Sequence, residues 1–196
     1  MNICIILFDK FETLDVFGPV EIFGKLDNSV IQYYSLNGGL ISNKDNISIV
    51  TKSIHDLYQA IDVLLIPGGE GTRIEIKNAD LINLIKKLAG RSRYVLSVCT
   101  GSILLAKAGL LDGKRATSNK RAFDWARESS SQVQWIKQAR WIVDGKYYTS
   151  SGVSAGMDMA LGFIFDTYSL EKAEEIAFRI EYNWQNDADI DSFCNQ

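Results

Sequence analysis

Short, uninterrupted apolar runs alternate along this chain with segments in which apolar residues recur at helical spacing. "NICIILF" (2–8), "IDVLLIP" (61–67) and "RYVLSVC" (93–99) are continuous and of strand length. Such runs suit strands covered on both faces. "VIQYYSLNGG" (30–39) reads as a further strand ending in turn residues, and "LISNKDNISIVTK" as a hairpin-type excursion around Asn43–Asn46. "LDVFGPVEIFGKL" carries helical periodicity, with Asp15 at its N-cap and Gly18-Pro19 in its first turns. "DLINLIKKLAG" is amphipathic and closed by Gly90.

After Cys99 the pattern predicts a helix over "TGSILLAKAGLL", a short strand at "RATS" and a helix over "KRAFDWARE". Beyond the polar "SSSQ", "KQARWIVDGKYYTSS" reads as two strands around an Asp-Gly turn. Helices over "VSAGMDMALGFIFDTY" and "SLEKAEEIAFRIEY" follow. Strands alternating with helices, several of them wholly apolar, predict an α/β fold: a three-layer α/β/α sandwich with a mostly parallel central sheet. No repeat or linker divides it, so residues 1–196 are read as a single domain. In such sheets ligands gather at the carboxyl ends of the strands. Three of those ends carry suggestive chemistry: Asp15, "GGEG" and Cys99.

Composition narrows the classes. At 46% hydrophobic and 23% charged the chain is globular, and its net charge of -3 shows no basic cluster. That argues against nucleic acid or an anionic membrane as partner. The N-terminus has no basic region ahead of its apolar run and reads as a first strand, not a signal peptide. No apolar stretch reaches bilayer-spanning length. Cys4, Cys99 and Cys194 form no disulfide or zinc pattern, and His55 is the one histidine. A soluble, cytoplasmic protein with no metal and no cofactor is expected.

Cys99 stands at the seam between a strand and a helix, where free N–H groups favour thiolate. A buried, inert cysteine is the bland alternative, but "CTGS" has the small residues of the strained elbow that exposes a nucleophile. The glycines of "PGGEGT", Gly69 and Gly71 among them, could gather N–H groups around an anion, or merely form a flexible turn. Asp15 could cap its helix or exchange a proton with Cys99. Glu21 lies deeper in the same helix, farther from the site. His55, in "TKSIHDLYQAID", falls away from the strand ends, so no imidazole is at hand for a protease-type dyad. Ser150 and Ser151 are candidates for the pocket, whereas Met157 and Met159 read as core. Asp158, inside an apolar helix, is expected to bond a neighbouring backbone, and the acidic "NDADIDSF" reads as a solvated end.

"LDVFGPVEIF", "DVLLIPGGEGT", "SVCTGSILLAKAGLLDGKRATS" and "TSSGVSAGMDMAL" together resemble the ThiJ/PfpI superfamily, of flavodoxin-like, class I glutamine-amidotransferase-like fold, over essentially the whole chain. The likeness is to the branch of isocyanide (isonitrile) hydratases and of AraC-type regulator sensor domains, in which Cys-Thr-Gly replaces the Cys-His of peptidase-like members. It implies Cys99 as nucleophile, Asp15 as its carboxyl partner, the N–H groups of Gly69 and Thr100 as anion donors, and the Thr100 hydroxyl beside the sulfur. Many members carry a histidine-aromatic pair after "RATT"; Asn119 and Lys120 stand there in this chain, so the pocket wall differs. Regulators of the branch add a helix-turn-helix domain, for which this chain is too short, and homodimers are usual.

The resemblance thus implies a cysteine-dependent hydratase, a lyase-type enzyme converting an isocyanide to an N-substituted formamide. Glyoxalase-like conversion of 2-oxoaldehydes and oxidative-stress sensing by Cys99 oxidation are the alternatives.

Overall fold

The computed structural model describes residues 1–194. In chain order the strands are β1 (Asn2–Ile6), β2 (Val30–Ser35), β3 (Gly39–Ser42), β4 (Ser48–Ser53), β5 (Ile61–Ile66), β6 (Ser92–Ser97), β7 (Arg115–Ala116), β8 (Gln134–Trp135), β9 (Trp141–Asp144) and β10 (Tyr147–Ser150). The helices are α1 (Thr13–Phe23), α2 (Thr72–Glu75), α3 (Ala79–Arg91), α4 (Gly101–Lys107), α5 (Phe123–Ser129), α6 (Ala155–Thr167) and α7 (Leu170–Arg179).

One sheet runs β3-β4-β2-β1-β5-β6-β10-β9. Pairings from β4 to β10 are parallel, and only the edge strands β3 and β9 run antiparallel. β1, β5 and β6 hold the centre, with helices on either side, which is why their apolar runs do not alternate. α1, α6 and α7 pack together as one helical layer; α2, α3, α4 and α5 form the other. The fold is the three-layer α/β/α sandwich expected. Among the described residues no helix is long and apolar enough to cross a membrane.

The excursion near Asn43 is a hairpin, β3 against β4, and β9 and β10 close through Gly145, whose φ of +61° permits the tight turn. Two helix ends differ from expectation. Gly90 lies inside α3, which stops only where Ser92 turns extended and opens β6. Asp15 is not an N-cap: Glu12 holds that position, and Asp15 sits in the first turn with its side chain drawn inward. The acidic tail departs further. Ala188 accepts from the N–H groups of Arg140 (2.7 Å) and Trp141 (3.3 Å), and the Asp191 N–H donates to the Gln138 carbonyl (2.8 Å). The tail folds back on the body, and Asp191 is 1% exposed.

Candidate functional site

Cys99 follows β6 and precedes α4 with a φ of +56°. For a side chain with a Cβ that conformation costs about 1–3 kcal/mol and persists only where neighbours impose it. They do. The Cys99 N–H donates to the Ser151 carbonyl (3.1 Å), while its own carbonyl accepts from Ser102 Oγ (3.1 Å) and Ser118 Oγ (3.0 Å). The elbow is therefore clamped from β10, α4 and the loop after β7. Ser102 and Ser118 escaped the sequence reading, since an isolated hydroxyl has no pattern.

Asp15 reaches the same place from α1. Its Oδ2 accepts from the Gly68 N–H at 2.8 Å, and its Oδ1, fully buried, has no hydrogen-bond partner among the described residues. Burial lifts the carboxyl well above the usual carboxylate range; the Gly68 N–H opposes this, the Glu12 charge adds to it, and Cys99 opposes it as a donor. Burial likewise pushes the Cys99 thiol up, and the Asp15 charge pushes it further. The Thr100 N–H, the Asn119 amide and the Thr100 hydroxyl, acting as donors to the sulfur, pull it back. The helix end alone thus does not deliver a thiolate. The Asp15 charge opposes ionisation of Cys99, and the two titrate as a coupled pair.

Gly68 is the hinge of this arrangement. A Cβ there would lie 2.6 Å from the Thr100 nitrogen and 2.9 Å from Asp15 Oδ2, so only glycine lets the three groups meet. Two further N–H groups of the glycine turn are engaged internally. Gly69 donates to Thr100 Oγ1 (3.1 Å) and Gly71 to the Lys10 carbonyl (3.1 Å). Thr72 Oγ1 lies 3.0 Å from Thr100 Oγ1 and 2.6 Å from the Gly69 carbonyl, which fixes the Thr100 hydroxyl.

A cavity of about 240 Å³ opens beside the elbow, lined among others by Asn119, Lys120, Ser151, Val153, Ser154 and Phe193. Asn119 and Ser151 are its link to Cys99. Gly152 leaves room for Asn119, whose amide would overlap any Cβ at that position. Val153 adopts φ +47°, rare for a β-branched residue, in this same wall. Ser150 turns the other way, towards the Ser97 and Ser151 carbonyls (3.4 and 3.3 Å).

Behind the cavity lies a buried ionic network. Asp158 does accept a backbone N–H, that of Gln185 (3.0 Å), but its main partner is Arg140, with Nη2 at 2.6 Å and Nε at 2.8 Å. Arg140 Nη1 lies 3.5 Å from Asp191 Oδ1, and Lys120 Nζ lies 3.7 Å from Asp191 Oδ2. Lys120 also donates to Thr117 Oγ1 (3.0 Å) and the Ala139 carbonyl (2.6 Å). Burial brings its ammonium down to about 8 against the opposing pull of Asp191. A solvated tail would have spared Asp191 this desolvation; here it is buried facing two cations, Arg140 and Lys120.

The structure leaves other candidates outside. His55 occupies a short 3-10 turn in a separate hollow with Asp80, Asn83 and Lys87. Glu21 pairs with Lys25 on the α1 surface. Cys4 is buried within β1, its thiol lifted to about 12 by burial, and Met159 is fully buried.

The chain is similar to several known proteins. Isonitrile hydratase of Pseudomonas putida is 27% identical over 93% of this chain and 78% of its own length. The HTH-type transcriptional regulator CdhR of Pseudomonas aeruginosa is 29% identical over 81% of this chain, which spans about half (47%) of that protein. A crystal structure of a ThiJ/PfpI family protein from Pseudomonas syringae superposes with a TM-score of 0.85 at 27% identity, covering 93% of this chain and 75% of that one. The model of the DJ-1/PfpI family matches residues 1–165, a span that holds Asp15, the glycine turn, the Cys99 elbow and the start of α6, and by that match the chain belongs to the DJ-1/PfpI family.

Proposed function

We propose that this protein is a cysteine-dependent hydratase that adds water to a small electrophile, and that an isocyanide, converted to an N-substituted formamide, is the substrate its site suits best. One observation carries the reading: a fully buried Asp15 carboxyl beside Cys99, one oxygen unpartnered, whose hold on a proton burial strengthens. An isocyanide carbon accepts a nucleophile and then a proton, and this pair supplies both. The 27% identity to an isonitrile hydratase over most of both chains supports the same chemistry.

The pair starts with one proton between its two members; as the substrate enters, Asp15 takes that proton and the Cys99 thiolate is stabilised by the Thr100 N–H, the Asn119 amide and the Thr100 hydroxyl. With Gly69 engaged by Thr100, Asn119 takes the donor role expected of Gly69. The sulfur attacks the isocyanide carbon, a C–S bond forms, and the Asp15 proton passes to that carbon to give a thioimidate. Asp15, now carboxylate, takes a proton from water as its oxygen adds to the C=N carbon, and relays that proton to the nitrogen. The hydroxyl proton then returns to Asp15 as the C–S bond breaks, releasing the formamide and the Cys99 thiolate. One water is consumed and the pair is restored. His55, in its separate hollow, has no part in this. The active form is read as a cytoplasmic homodimer, as in the family; sedimentation at micromolar concentration tests the dimer.

The experiment is turnover of methyl, tert-butyl and cyclohexyl isocyanide in ¹⁸O-water, followed by NMR and mass spectrometry. Formamide carrying one ¹⁸O per turnover is expected. Absence of formamide from every isocyanide, with lactate formed from methylglyoxal instead, would overturn the reading in favour of glyoxalase-like chemistry.

A further inference from the structure

Residues 184–194 contain no helix or strand and lie beyond the span of the family match, yet they are fastened to the site at several points. Trp184 Nε1 donates to the Asp158 carbonyl (3.1 Å), and the Gln185 N–H to Asp158 Oδ1 (3.0 Å). Ala188 accepts from the Arg140 N–H (2.7 Å), and Asp191 completes the ionic network with Arg140 and Lys120. These contacts converge on residues that already serve the site. The Arg140 carbonyl accepts from the Ser151 N–H (2.8 Å), and the Ser151 carbonyl in turn accepts from the Cys99 N–H. Arg140 Nη2 donates to Ser154 Oγ (3.2 Å), another residue of the cavity wall. Phe193, two residues past the pinned Asp191, places its ring in that wall while remaining half-exposed.

We propose that this C-terminal segment is a specificity strap, held by the Asp158–Arg140–Asp191–Lys120 network, and that Phe193 is the residue limiting the size of the group carried by the electrophile that reaches Cys99. This rests on the hydratase reading for the identity of the substrate, the group in question being the N-substituent of the isocyanide, but not for the role of the wall itself. Apart from the smaller Val153, the remaining lining is polar or glycine. A half-exposed aromatic is the largest apolar surface such a substituent meets there.

The test compares wild type with Phe193→Ala in a reaction that needs only the Cys99 thiol and access to it. Modification of the Cys99 peptide by N-methylmaleimide and by N-cyclohexylmaleimide is followed by mass spectrometry. Removal of the ring is expected to raise the N-cyclohexylmaleimide rate about tenfold, with the N-methylmaleimide rate little changed. An unchanged N-cyclohexylmaleimide rate, or an equal rise for both reagents, would overturn the proposal. Parallel assays with methyl and cyclohexyl isocyanide separate the two claims. Altered maleimide selectivity without isocyanide turnover leaves the strap standing and removes the hydratase; turnover with unaltered maleimide selectivity does the reverse.

Discussion

Replacing Asp15 by asparagine is expected to move two observables of Cys99 in opposite directions. Asparagine matches the carboxyl in size and keeps a carbonyl oxygen to accept from the Gly68 N–H, a 2.8 Å bond in a fully buried setting, so the elbow is preserved. What disappears is the proton and the charge. General acid–base catalysis by a placed group is worth about 10²–10⁴ in rate, and isocyanide hydration should fall by that factor. After burial, the Asp15 charge is the next largest cause holding the thiol up, so its removal should ease thiolate formation. Iodoacetamide modification of Cys99, followed between pH 6 and 10, should therefore be faster in Asp15→Asn and its pH midpoint lower. Stability provides a third readout. The folded-state acid constant of Asp15 is raised, so its contribution is fully present below the unfolded value and is lost as pH rises through the folded one. Asparagine has no such loss, and the stability of the variant relative to wild type should increase with pH. Retained turnover, or slower alkylation in the variant, would refute the coupling of the two acids.

Three further perturbations follow from the same geometry. Arg140→Met leaves the fully buried Asp158 without its guanidinium and should cost about 3–5 kcal/mol by urea unfolding; the loss should shrink at low pH, where Asp158, already raised by burial, takes up a proton. Gly68→Ala forces a Cβ to 2.6 Å from the Thr100 nitrogen, and should both lower the thermal midpoint and abolish turnover, whereas Gly90→Ala, with open space around it, should do neither. Gly152→Ala drives the Asn119 amide from its seat, and because that amide helps hold the thiol down, the alkylation midpoint of Cys99 should rise.

Much of the sandwich is legible because burial on both faces writes itself as unbroken apolar runs: residues 2–8, 61–66 and 93–98 had to be central strands. The end of β6 likewise announces the elbow, since a polarisable residue followed by Thr-Gly-Ser fits a tight strand-to-helix seam. The position of Asp15 is legible but the choice between its two local roles is not, because an acid in a first helical turn looks alike whether it caps its own helix or accepts from a glycine N–H in the turn after another strand. The fold of the tail is hidden for a related reason. Ion pairs between distant residues impose no period, so nothing in "NDADIDSF" distinguishes the buried Asp191 from its solvated neighbours. The signal that existed was elsewhere: a lone acid in "GMDMALGF" calls for a cation, and "QARW" holds one next to a strand. Lys120, a departure in the pocket wall, finds its partner in that same tail.

The central claim is that the Cys99 sulfur is the nucleophile and Asp15 its proton carrier. Its most direct test is the rate of N-substituted formamide formation by wild type and by Cys99→Ala at saturating isocyanide. The account predicts turnover by wild type and only the uncatalysed background from Cys99→Ala; formamide formation undiminished in Cys99→Ala would contradict it.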